Sequence, residues 1–440
     1  MTSDVQYRPL NEVAQLSSGK RPISVIKERT ASHGVPVIGG GGTSGFTEHH
    51  LFTEDILITG RVGTLGKLFA PKGPCWPSDN ALVIRPRDGL VHFQYLKYAL
   101  GSVIQAAVGL NRGAANPLVT QTDLGRLEIP VPDKTVQKQI AMVLARLDDR
   151  IEVNHRINET LEAMAQAIFK SWFVDFDSVK AKIAANVEGG DPLRAAMTAI
   201  SGKPDAQLDT LPPDQFATLA TTAALFPDEM EDSAFGVIPK GWNVGTFKDC
   251  CLRVESGGTP SRKEPAFWGG SIPWLTSGEV RDVVVLDTKE KISRAGLDAS
   301  NAKLWPAMST VVAMYGATAG QVCLIANEMT ANQACCALIP KAAFKSFIFI
   351  AARQAVQQLA EKASGSAQQN LNKSLVENHV HVIPDDGVAE RFELATTSLL
   401  QKWVLNQREA ATLAQLRDNL LPKLLSGELQ VQSSEMEAAA

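Results

Sequence analysis

Glycine-rich loops, adjacent histidines, six cysteines and clustered polar side chains are the groups in this chain that could carry chemistry. The run Gly39-Gly40-Gly41-Gly42-Thr43-Ser44-Gly45 invites a phosphate-loop reading, but no Lys precedes the Thr-Ser pair and no apolar helix follows it. Gly60-Arg61-Val62-Gly63-Thr64-Leu65-Gly66-Lys67 fails by spacing both that pattern and the dinucleotide fingerprint. Glycines so placed let the backbone turn tightly after a strand and approach a ligand closely. His49-His50 has no second cluster to complete a metal site, and neighbours on a strand face opposite ways. Cys75, Cys250, Cys251, Cys323, Cys335 and Cys336 show no CxxC spacing, so we expect small buried hydrophobes in a reducing compartment and no metal. No nucleophile elbow, zinc-protease helix or NPPY-type methyltransferase motif occurs, and no catalytic residue is expected.

Polar side chains gather instead at matching predicted loops. The first half carries Lys20, Arg21, Thr43, Ser44, Arg61, Lys67, Asn111 and Arg112. The second carries Thr259, Ser261, Arg262, Lys263, Ser277, Tyr315, Gln321, Ser366, Gln368, Gln369 and Asn370. Arg grips guanine by a bidentate fork, Asn or Gln reads adenine, and Lys, Ser and Thr suit phosphates, so these are candidate DNA contacts.

Two similar halves must position those loops. Gly63 and Ala81 match Gly316 and Ala334 at an offset of 253; Gly66, Pro86, Asn116, Ile129 and Pro130 match Gly320, Pro340, Asn370, Ile383 and Pro384 at 254. Asn154, Thr160 and Leu161 match Asn406, Thr412 and Leu413 at 252. Such a period is far longer than a solenoid unit and points to a duplicated module. Each half reads as a β-rich module with strands such as DILIT, ALVIRP, STVVAMY and ACCALIP, followed by a long helix.

The helices show heptads. Ile140, Leu147, Asn154, Leu161 and Ile168 occupy one seam position, with Leu144, Ile151, Asn158, Ala165 and Trp172 four residues after each. Near the C-terminus the seam recurs as Phe392, Leu399, Asn406, Leu413 and Leu420. Each helix would be on the order of 55 Å long. An Asn in an apolar seam fixes register, so we expect the two helices to pair antiparallel with Asn154 near Asn406.

A chain of 440 residues exceeds one core, and its composition, 45% hydrophobic and 20% charged, is that of a globular protein. The net charge of −4 looks wrong for a nucleic-acid binder, but 186–235 alone holds −7 and leaves +3 for the rest. Neither an N-terminal apolar signal nor a run near 20 apolar residues is present, so no membrane association and a cytoplasmic location are expected.

SGGTPSRKEPAFWGGSIPWLTSGEV (Ser256–Val280), MYGATAGQV (Met314–Val322), WFVDFDSV (Trp172–Val179), ALFPDEMEDSAFGVIPKGW (Ala224–Trp242) and LRDNLLPKLLSGEL (Leu416–Leu429) resemble segments of the specificity subunits of type I restriction–modification enzymes. The first half departs from that pattern, with Ser18-Gly19-Lys20-Arg21-Pro22 in place of the fuller SGGTPSR run. The resemblance implies an α+β chain with two mixed β-rich target-recognition domains in pseudo-twofold arrangement, separated by two long antiparallel coiled-coil helices. The expected division is 1–132 and 239–385 for the recognition domains, 133–175 and 386–427 for the helices, 176–238 for an acidic, partly helical linker, and 428–440 for a flexible tail. It implies a non-catalytic reader of a bipartite, asymmetric target in double-stranded DNA that docks two methyltransferase (modification) subunits, with restriction/translocase subunits in the full complex. S-adenosylmethionine, ATP and Mg²⁺ would belong to those partners. The alternatives are a DNA-reading adaptor of another defence or methylation-only complex, and a nucleotide-dependent transferase using the glycine loops.

Overall fold

A computed structural model describes residues 5–62, 64–109, 118–364 and 371–431. It comprises two compact units, Met1–Val153 with Ala410–Ala440, and Asn154–Glu409.

In the first unit Ala14–Ser18, Ala81–Pro86, Leu57–Gly60 and Leu68–Phe69 form an antiparallel sheet in that order. Leu57–Gly60 is buried throughout, as a strand covered on both faces must be. Alternation decides the faces: Leu57, Leu82 and Ile84 pack on the helix Phe93–Gly109 through Tyr95, Leu96 and Ala99. Ile58, Ala81 and Val83 turn the other way, onto Cys75 and onto Ile38 of a three-stranded sheet formed by Gly42–Thr47, Val35–Gly39 and Trp76–Pro77.

The second unit repeats this plan. Cys251–Ser256, Cys335–Pro340, Thr310–Ala313 and Val322–Ile325 follow in the same order, with Val284–Val285 added at the edge. Glu290–Ile292, Trp268–Leu275 and Thr330–Ala331 form the smaller sheet. Val312, Leu324 and Leu338 face the helix Lys345–Gln354, while Val311, Cys323 and Ala337 face Leu275 and Trp305.

The repeat holds bond for bond. Gly19 N donates to Ala81 O at 2.9 Å, and Gly257 N to Cys335 O at 3.0 Å. Arg61 N donates to Asn80 O, as Met314 N does to Ala334 O; Val119 N donates to Arg61 O, as Leu371 N does to Met314 O. Leu10 N reaches Leu127 O where Phe247 N reaches His379 O. These pairs correct the sequence alignment in two places. The counterpart of Ala81 is Cys335, not Ala334. Register across the terminal strands (Pro9 with Glu128, Thr246 with Val380) makes His381 and Val382 the counterparts of Ile129 and Pro130, so Pro384 answers to Pro132. From the last strand onward the offset is therefore a constant 252.

Both long helices begin in the same way, with Gln137 N bonded to Asp133 O and Ala389 N to Asp385 O. They run Lys134–Phe173 and Asp386–Ser426. No Gly or Pro interrupts the first; the second carries Pro422 only in its last turns and stops at Gly427, whose φ of 76° is open to glycine at little cost. In the first unit Ile140 and Leu144 pack with Leu424 and Leu425. In the second unit Phe169, Trp172 and Phe173 surround Phe392. The helices thus pair antiparallel within each unit.

Asn406 Nδ2 donates to the Oδ1 of Asn158 at 3.0 Å in a buried layer, so the register contact is with Asn158 and not with Asn154. Reversing one helix sets a first-seam residue against a second-seam residue of its partner, so two asparagines of equal phase cannot share a layer. Asn154 is itself buried, and its Nδ2 has no hydrogen-bond partner among the described residues.

The acidic stretch 176–238 contains the helices Asp177–Glu188, Pro192–Ser201, Asp205–Leu208 and Pro213–Leu225, then a hairpin of Met230–Ser233 with Gly236–Pro239. Ala196, Met197, Leu208 and Ala223 form its core, and Arg194 bridges Asp205 and Asp209.

One charged cluster ties the first module to the helices of its unit. Arg417 donates to Asp148 at 2.7 Å, and the Tyr98 hydroxyl and Lys97 reach the other carboxylate oxygen at 2.7 and 3.3 Å. Burial alone would raise the Asp148 pKa, but Arg417, Tyr98 and Lys97 outweigh it and hold it below 3.8. A depressed folded-state pKa means stabilisation that is complete above the unfolded value and lost as pH falls through the folded one. Arg417→Ala should therefore cost about 1–2 kcal/mol at pH 7, and little once Asp148 is protonated. Urea titrations of both chains at pH 7 and at about pH 3 should show the gap closing; an equal gap at both would refute the assignment.

Candidate nucleic-acid interface

A groove of about 830 Å³ opens on the first module. Its walls come from three places: the segment after Ala14–Ser18 with Arg21, the glycine hairpin with Thr43 and Ser44, and the turn Ser78-Asp79-Asn80. The glycines let two backbones meet there. A Cβ on Gly40 would stand 2.8 Å from Gly60 Cα, and one on Gly60 would stand 2.2 Å from Thr64 O. The hairpin is thus pressed directly on the end of the central strand. Ser44 Oγ donates to Val37 O at 3.2 Å and belongs partly to the hairpin's own bonding.

Arg21, Thr43 and Ser44 are the sequence candidates that share this groove. Lys20 is exposed, but its main chain is built into the wall: its N–H reaches Pro77 O, and its carbonyl accepts from Trp76 Nε1 at 2.7 Å. Arg61 has its N–H and carbonyl tied to Asn80 and Val119, while Lys67 is exposed beyond the groove. Asn111 and Arg112 lie outside the described residues, as do Ser366, Gln368, Gln369 and Asn370.

In the second module Thr259 Oγ1 donates to Gln333 Oε1 at 2.5 Å. The Ser277 carbonyl accepts from Thr318 Oγ1 at 2.8 Å, and Gln321 N reaches Thr318 O, which brings the Ser277 turn beside Tyr315 and Gln321. Tyr315 is 38% exposed, an aromatic face open to a base or sugar. Ser261 is occupied in holding a corner, its carbonyl accepting from Trp268 Nε1 and its hydroxyl from Lys263 N; the Lys263 side chain is exposed.

Arg262 takes a different part from the one its type suggests. Its guanidinium lies 3.6 Å from the Trp268 ring centroid and 5.0 Å from that of Trp274, and both Nη atoms close on Glu290, at 2.5 and 2.8 Å. The fork that would grip a guanine edge is already filled. Pairing holds the arginine pKa up and the Glu290 pKa down. Arg262→Lys keeps the charge but loses fork and stacking. It should shift Trp fluorescence and cost under about 1 kcal/mol, with the recognised sequence unchanged. A changed base preference would return Arg262 to the reading surface.

The turn residues Ser78, Asp79, Asn80, Asn332 and Gln333 escaped the sequence reading. Their one signal was a short polar run between a strand end and a buried apolar strand. Among the described residues no group of three or more His, Cys, Asp or Glu could hold a metal. All six cysteines are buried and free. Burial pushes the thiols up, Cys75 to about 11 and Cys250, Cys251 and Cys336 to about 12, which leaves them as inert packing. No helix among the described residues is long and apolar enough to cross a membrane.

The helices carry a second surface. Val153, Met164, Leu394, Leu405 and Leu416 are each between 42% and 69% exposed, and Met142 is half-buried. On each helix they recur every eleven residues, three turns apart on one face. At the 252 offset Met142 matches Leu394, Val153 matches Leu405 and Met164 matches Leu416. One such row thus lies on each long helix, Met142, Val153 and Met164 on the first and Leu394, Leu405 and Leu416 on the second, at matching positions of the repeat.

A duplicated module whose exposed loops carry hydrogen-bonding side chains defines a recognition protein rather than a reaction centre. The family model of the type I restriction modification DNA specificity domain matches residues 2–163 and 239–385. The chain belongs to that family, the non-catalytic DNA-recognition subunits of type I restriction–modification systems. It is 34% identical over 372 residues to the specificity subunit of the type I restriction enzyme HindI from Haemophilus influenzae, covering 80% of this chain and 81% of that one. It is 26% identical over 383 residues to the MjaIX specificity subunit from Methanocaldococcus jannaschii, covering 86% and 78%. The crystal structure of the type I S subunit from M. genitalium has the same fold, with a TM-score of 0.54 at 16% identity and coverage of 96% and 97%.

Proposed function

We propose that each module reads one half of a split, asymmetric target in double-stranded DNA, and that the stripes on the long helices dock two copies of one modification subunit. The observation that carries this is the bond-for-bond repeat of the module. Two copies of one backbone with different rim side chains suit two half-sites of different sequence. Likewise, apolar rows at matching positions of the two repeats suit two copies of one partner, since an exposed apolar row on a helix is a surface waiting for cover. S-adenosylmethionine for methyl transfer, and ATP with Mg²⁺ for translocation by restriction subunits, would be held by the partners. Free buried cysteines fit the reducing cytoplasm, where such a complex would meet DNA.

Methylome sequencing of cells that carry this chain with its modification subunits tests the proposal. It should return one bipartite motif with a fixed spacer. Replacing the second module with that of a relative should change one half-site and leave the other. A change spread over both halves would refute modular reading, and ATP or S-adenosylmethionine binding by the isolated chain would restore an enzymatic role.

A further inference from the structure

The two modules place one tight turn in the same position and furnish it with different side chains. In the first, Ser78 N donates to Ile38 O at 2.9 Å, Ala81 N to Ser78 O at 3.0 Å and Lys20 N to Pro77 O at 3.0 Å. In the second, Asn332 N donates to Leu275 O at 2.9 Å, Cys335 N to Asn332 O at 3.1 Å and Gly258 N to Ala331 O at 2.8 Å. A glycine presses on each turn: a Cβ on Gly19 would stand 2.2 Å from Ser78 O, and one on Gly257 would stand 2.2 Å from Asn332 O. No side chain fits between strand exit and turn, so the main chains meet directly there; Trp76 Nε1 on Lys20 O, Trp274 Nε1 on Gly258 O and Asn332 Oδ1 accepting from Ala334 N brace the same corner. At the next position, Asp79 or Gln333, the side chain bonds none of the turn's main chain and can vary without moving it.

By these bonds Asp79 corresponds to Gln333 and Arg21 to Thr259. All four are exposed. Arg21, Asp79 and Asn80 share the groove of the first module. In the second, the Thr259 hydroxyl donates to Gln333 Oε1, which fixes the amide and leaves its Nε2 as the outward donor. One rim therefore offers a guanidinium fork, a carboxylate and an amide; the other offers a braced amide.

We propose that Asp79 with Asn80, and Gln333, are specificity-determining residues, each read against its neighbour across the rim, Arg21 or Thr259. The inference rests on modular reading of DNA by the two domains. Carboxylates accept from cytosine N4 and amides pair with adenine, so an exchange of Asp for Gln at a fixed backbone position alters which base is favoured.

The test uses the full chain assembled with its modification subunits, and methylation-site sequencing as the readout. The pair Thr259→Arg with Gln333→Asp transplants the first rim onto the second module. It should alter preference at one or two positions of one half-site, with the other half-site unchanged. The single change Gln333→Glu, nearly the same shape without the donor, should reduce preference at one base by about tenfold. It keeps the test open should the double variant fail to assemble. Both half-sites unchanged in an assembled complex would overturn the assignment while leaving modular reading intact. Both half-sites altered together would overturn modular reading itself.

Discussion

Phe392→Ala is expected to remove about 3–5 kcal/mol of stability from the second unit. The ring is fully buried, with Phe173, Trp172, Phe169 and Phe347 at centroid distances of 4.9, 5.8, 5.9 and 6.5 Å. Edge-to-face geometry adds to area burial here, and five rings meeting from three helices cannot collapse into the hole. Ile140 holds the same place in the first unit, among Leu144, Leu424 and Leu425. Its replacement by Ala removes fewer atoms from a more pliable aliphatic cluster and should cost less, about 2–4 kcal/mol. Urea titration followed by tryptophan emission checks both, since Trp172 and Trp242 sit in the affected cluster and the first unit offers only Trp76. Equal midpoints for Phe392→Ala and the parent chain would show that this cluster does not hold the unit together.

The pair Leu394→Glu and Leu405→Glu should leave the chain folded and release one docked subunit. These side chains are 69% and 57% exposed, so the folded chain alone loses little, within about half a kcal/mol for each. Under a partner the same carboxylates would be desolvated in place of apolar contact, on the order of 4 kcal/mol for the pair, about a thousandfold in affinity. Native mass spectrometry of the assembled complex should show a species lighter by one modification subunit. The matched variants Met142→Glu with Val153→Glu should release the other copy. A complex of unchanged mass in both cases would mean that the stripes are not where the partner binds.

Heptads made the long helices legible, because an apolar seam repeated five times has few other readings. The duplication was legible from spaced glycines and prolines, and Gly66 with Gly320 do adopt matching left-handed turns, at φ of 75° and 86°. Its fine register was not. A chance Ile-Pro repeat, Ile129-Pro130 against Ile383-Pro384, outweighed the true correspondence, in which His381 replaces Ile129. His381 is half-buried against Phe247 and Phe347, and desolvation there pulls its pKa down to about 4, so an imidazole does the packing of an aliphatic chain. Chemistry at the rims was the least visible part. Arg262 is the residue type that reads guanine, but Glu290, 28 positions on, closes its fork, a pairing that only folding reveals. Gln333 is not among the sequence candidates, because only folding brings it to Thr259, 74 positions away.

The polar layer where Asn406 meets Asn158 sets the two halves of the polypeptide apart. At the 252 offset the counterpart of Asn158 is Ala410, so the first repeat holds both members of the pair, Asn154 and Asn158, while the second holds only Asn406. Two first repeats placed head to tail could exchange amide bonds twice over. Two second repeats would seal two lone amides against alanine, a desolvation penalty with no return. The two repeats are therefore unequal: the first carries both amides needed to pair with a copy of itself, and the second depends on the first.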